Sequence, residues 1–153
     1  MPTFERADKS VERLAKELIE KYESHKPLAE IGPQIDYVFA YGDVDDEGRQ
    51  LNDALTKGGL KALGITKIIA LKERALSRGD VEIALDGDWW KQATDDQQAA
   101  LLDHELHHIS IKADKSGNVQ YDDLGRPKIK LRKHDAERHS VEPSPTVYSG
   151  SIR

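Results

Sequence analysis

The chain has no cysteine. That excludes disulfides, thiolate zinc fingers and cysteine nucleophiles, so any bound metal must be held by His, Asp or Glu. Nor does any apolar run approach the length that spans a bilayer. The first ten residues, MPTFERADKS, lack an apolar stretch, so no signal peptide is expected. A basic excess is missing too: 23 Lys and Arg stand against 28 Asp and Glu, a net charge of −5. An acidic surface repels phosphate backbones, so a broad nucleic-acid face is not expected. Basic residues gather only at Lys128, Lys130, Arg132 and Lys133, which reads as one solvated strand face. No internal repeat is evident.

What remains is a polar chain of 153 residues, 33% charged and 37% apolar. That length suits one domain around one core. "SVERLAKELIEKYES" sets Val11, Leu14, Ala15, Leu18, Ile19 and Tyr22 at helical spacing, with Asp8 or Ser10 as cap and Pro27 beyond the end. "QIDYVFAYG", "ITKIIALK" and "VEIALDGDWW" are rich in β-branched and aromatic residues and predict strands. Trp89 and Trp90 would cover the core edge or line a substrate groove. "DVDDEGRQ" does not match an EF-hand loop and reads as a solvated turn. "LNDALTKGGLKALG" is ambiguous, because adjacent glycines argue against a long helix. "SIKADKSGNVQYDDLGRPKIKLRK" carries turn signals suited to short strands or a hairpin, and "HDAERH" could open a final short helix.

Three of the six histidines lie in "DHELHHIS", on a helix predicted from Thr94 to about Ile109. "TDDQ" at its start is a capping box, and Asp95 and Asp96 suit the positive end of the helix dipole. His104 to His108 match H-E-x-x-H. Residues four apart on a helix point the same way, so His104 and His108 can face one metal ion. Glu105 beside them can hold a water on the open metal position and take its proton. His107 is expected to pack or point to solvent. A catalytic zinc usually has three protein ligands. The candidates for the third are His134, Asp135, Glu137 and His139; His134 is preferred as an imidazole opening a new element. Glu137 comes next, and Asp135 could orient a ligand ring instead. His25 has no such context and is expected at the surface.

At "WWKQATDDQQAALLDHELHHI" and "GRPKIKLRKHDAE" the chain resembles the phage metallopeptidase family, over about residues 37 to 137. That family is similar to small zincins such as the SprT-like proteases. The resemblance implies an α+β, zincin-like single domain. A curved mixed sheet would be packed by an N-terminal helix and an HExxH active-site helix. It also implies Zn2+ bound by His104, His108 and His134, Glu105 as general base, and a protein or peptide substrate. The domain is expected over 1–140 and a flexible tail over 141–153, where Pro143 and Pro145 interrupt any final helix. A cytoplasmic location in the bacterial host is expected, with no membrane partner. "VEIALDG" could be the sheet edge that aligns an extended substrate. Tyr121 and Arg126 are the candidates for a transition-state donor. The competing expectation is a non-proteolytic metal-binding module that engages a host or phage protein.

Overall fold

The computed structural model describes residues 2–76 and 78–132. His134, Asp135, Glu137, His139, the expected final helix and the tail over 141–153 lie outside the described residues. Four strands form an open, curved, mixed sheet: β1 (Thr3–Arg6), β2 (Ile35–Tyr41), β5 (Gly64–Ile68) and β6 (Val81–Asp86), in the spatial order β1-β2-β6-β5. β2 and β6 run parallel, with Tyr37 opposite Ile83. The two outer pairs are antiparallel; β5 sets Thr66 opposite Ile83 and Gly64 opposite Leu85. Two smaller antiparallel pairs are β3 (Thr56–Lys57) with β4 (Leu60–Lys61), and β7 (Ile109–Ile111) with β8 (Ile129–Leu131).

Alternation along the strands divides the apolar residues between two faces. Val81, Ile83, Leu85 and Phe39 join Val11, Ala15 and Leu18 of helix α1 (Lys9–Lys21) and Leu101, Leu102 and Leu106 of helix α5 (Asp95–Leu106) in the main core. Each fully buried Leu, Ile, Val or Phe contributes roughly 1.5–3 kcal/mol, so this layer fixes where α5 lies. Ala84 and Ala40 face the other way and pack with Ala54, Leu55 and Ala62. The N-terminal helix is therefore as predicted, except that Tyr22 is 41% exposed. Asp8 is its N-cap, without a side-chain hydrogen bond, and the short helix α2 (Lys26–Ile31) follows it.

Several elements differ from expectation. β6 is an inner strand between β2 and β5, so it cannot be the substrate-aligning edge. Chain direction and pairing over long sequence separations decide this, and neither is written in one strand's composition. The strand also stops at Asp86, whose side chain accepts a hydrogen bond from Trp89 N and starts helix α4 (Gly87–Gln92). Trp90 is buried in the main core with Trp89 packed against it, which is the core-covering role. "ITKIIALK" divides into β5 and the start of helix α3 (Leu71–Ala75). The ambiguous glycine stretch is the β3–β4 hairpin, with Gly58 and Gly59 both at positive φ in a two-residue turn. Among the described residues, no helix is long and apolar enough to cross a membrane.

Candidate metal centre

Helix α5 begins with the capping box read from sequence. Thr94 Oγ1 accepts from Gln97 N at 3.2 Å, and Gln97 Oε1 accepts from Thr94 N at 2.9 Å. The helix ends at Leu106, earlier than predicted. His107 N still reaches the Asp103 carbonyl, but His108 N turns to the Glu105 carbonyl in a tighter turn. Ile109 then enters β7, whose pairing with β8 captures the chain. His108 thus sits just past the helix, yet its ring meets the His104 ring edge-on with centroids 5.2 Å apart.

His104, Glu105 and His108 each offer a ligand atom, and the three atoms lie within 4.8 Å of one another. His108 Nδ1 lies 2.8 Å from the Arg132 carbonyl oxygen. A carbonyl only accepts, so Nδ1 carries the proton and Nε2 the lone pair. Arg132 N donates back to the His108 carbonyl at 2.6 Å. The chain after β8 therefore returns to the motif two residues before His134.

Glu105 shares the buried stripe of α5 with Leu101 and Leu102, and is only 2% exposed. Burial pushes its carboxyl up from 4.5 to about 7. The Thr66 hydroxyl, which donates to Glu105 Oε1 at 2.8 Å, and the Lys57 charge work against that rise without cancelling it. Gly64 on β5 makes the room: a Cβ there would lie 3.0 Å from Glu105 Cγ, Cδ and Oε2. Thr66 and Gly64 were missed in the sequence, since nothing local marks residues of β5 as neighbours of a helix some forty positions later.

A second cluster was also missed. His25 is 1% exposed rather than at the surface, and its Nε2 lies 2.6 Å from Asp103 Oδ1. His107 belongs here, its ring 4.4 Å from that of His25. Of its two expected fates, packing or pointing to solvent, it packs. Arg126 Nη1 donates to the Arg78 carbonyl at 2.7 Å and faces Asp80 at 3.6 Å. Tyr121 is 56% exposed on a turn opposite Pro127. Neither shows a contact with Glu105.

A helix laid on a curved sheet, ending in a His–Glu–His cluster of ligand spacing, defines a small α+β protein with a candidate metal centre. The family described as "Putative phage metallopeptidase" matches residues 2–142. The chain belongs to that family, whose name implies a metal-dependent peptidase. None of the curated proteins or solved structures compared with the chain matches it.

Proposed function

We propose that the protein is a zinc-dependent peptidase, with His104, His108 and His134 as zinc ligands and Glu105 as general base. The reading is carried by one observation. The ligand atoms of His104, Glu105 and His108 converge within 4.8 Å. Two imidazoles beside a carboxylate suit zinc, and no thiolate competes. When bound, zinc supplies Lewis acidity that lowers the pKa of water and polarises a carbonyl. The remaining work falls to the chain. The Glu105 carboxylate, beside the two imidazoles, can take a proton from the attacking water and return it to the leaving amine. Thr66 holds that carboxylate in place through Oε1. Arg132 fixes the His108 ring, and His134 follows it by two residues, a reach of about 7 Å of extended chain. In place of β6, the outer strand β5 aligns an extended peptide, since β5 pairs only with β6 among the described strands. The domain extends over 1–140 in this reading.

The test is metal content and peptide turnover side by side. Glu105→Gln should retain zinc and lose about 100- to 10,000-fold in turnover of an unfolded protein substrate. Wild-type turnover in that variant would sink the mechanism. Metal analysis of His134→Ala and Glu137→Ala decides the third ligand, and full zinc in His134→Ala would remove His134 from the set. A protein that binds zinc stoichiometrically and cleaves nothing would be the metal-binding module instead.

A further inference from the structure

The last turn of α5 and the two residues after it carry two pairs of residues four apart, not one. His104 and His108 form the first; Asp103 and His107 form the second, offset by one residue and so turned about 100° around the helix. The second pair faces the turn that follows α1. There a short 3₁₀ turn, Glu23–His25, delivers His25 into the interior. His25, Asp103 and His107 each offer a ligand atom, and these atoms lie within 4.8 Å of one another.

We infer that His25, Asp103 and His107 form a second divalent-cation site, separate from the HExxH cluster. Two imidazoles and a carboxylate without thiolate suit zinc, cobalt or nickel. His107 Nδ1 donates to the Asp103 carbonyl at 2.9 Å, which leaves the lone pair on Nε2. This is the same ring fixation that the Arg132 carbonyl gives His108. Ser24 Oγ donates to that lone pair at 3.1 Å, a bond the cation replaces. Asp103 and His107 keep 31% and 23% of their side-chain surface open, so an ion can enter and water can complete its shell. His25 Nε2 and Asp103 Oδ1 are now joined by a hydrogen bond of 2.6 Å. A cation between them takes the His25 Nε2 lone pair as the single ring proton moves to Nδ1, and small side-chain shifts widen the gap. The filled site would staple the turn after α1 to the helix that carries the HExxH motif.

This inference does not rest on the peptidase reading, and its test needs no activity. Full-length, metal-free protein is titrated with Co2+ by calorimetry, and bound metal is counted after dialysis. Wild type should take two equivalents. A His104→Ala/His108→Ala variant should keep one, and so should Asp103→Asn/His107→Ala; the fourfold variant should keep none. Both Asp103 and His107 are partly exposed, so these substitutions spare the core, and circular dichroism checks the fold. Retention of one equivalent by His104→Ala/His108→Ala supports the second site even if no peptide is ever cleaved. Two equivalents in Asp103→Asn/His107→Ala, or none in His104→Ala/His108→Ala, would overturn it and leave the cluster as a hydrogen-bonded latch.

Discussion

At the level of single side chains, Glu105 lies on a helix stripe otherwise built from leucine, and water is kept from its carboxylate. Its acidity is then set by how few neighbours favour the charge. Thr66 is one of them, so Thr66→Val should raise the pKa of Glu105 further. The acid limb of a pH profile of kcat/KM should move to higher pH, with turnover at pH 6.5 falling more than at pH 8.5. An unmoved limb would show that Glu105 is not the titrating base. The same burial predicts a pH dependence of stability in metal-free protein. Unfolded, Glu105 titrates near 4.5; folded, at about 7. Between those values the folded chain binds a proton that the unfolded chain lacks. Stability is therefore fully present below pH 4.5 and falls as pH rises through 7, by at most roughly 3 kcal/mol. Urea unfolding at pH 5 and pH 8 reads this, and Glu105→Gln should flatten it. At this scale the legible residues were the local ones. His104, Glu105 and His108 declare themselves by spacing, whereas His25 is buried by a partner 78 positions away.

Among the elements, α5 was the most legible, because its start is encoded in four consecutive residues. Both hydrogen bonds of the capping box form. Thr94→Ala should cost about 1 kcal/mol, a fall of about 3 °C in Tm for a chain of this size, readable by differential scanning calorimetry. Its end was illegible, because β7 pairs with β8 some twenty residues later and that pairing overrides helical continuation. α4 was hidden for a different reason: its tryptophans have strand propensity, but the Asp86 carboxylate caps a new helix at that point. One loop recurs three times, although no repeat was evident in the sequence. Asp45, Asp114 and Asp122 each accept, through Oδ1, from the backbone N–H groups two and four residues on. Each loop has a glycine at positive φ three residues after the aspartate. The shared pattern is only Asp-x-x-Gly, too short to stand out among 28 acidic residues and 11 glycines.

Across the whole molecule, the α+β class and the N-terminal helix could be read from hydrophobic period, but strand order could not. The pairing of β2 with β6 spans the entire intervening hairpin and β5. One joint holds the distant parts together. Arg74, 7% exposed on α3, meets Asp122 of the third loop at 2.6 Å and donates from Nε to the Ile69 carbonyl. Burial works to raise the pKa of Asp122, but the Arg126 and Leu124 N–H groups and the Arg74 guanidinium outweigh it and hold it low. Arg74→Met should cost about 3–5 kcal/mol by leaving that carboxylate without its partner. Adding Asp122→Asn should cost less than the sum of the two single losses, in a double-mutant cycle followed by urea unfolding.

The hydrogen bonds between His108 and Arg132 also bear on synthesis. A ribosome delivers the HExxH motif 24 residues before the carbonyl that orients its second imidazole. A chain stopped inside the β7–β8 hairpin would carry every residue of the motif and still lack the orientation. Orientation of the His108 ring is thereby deferred until the hairpin closes.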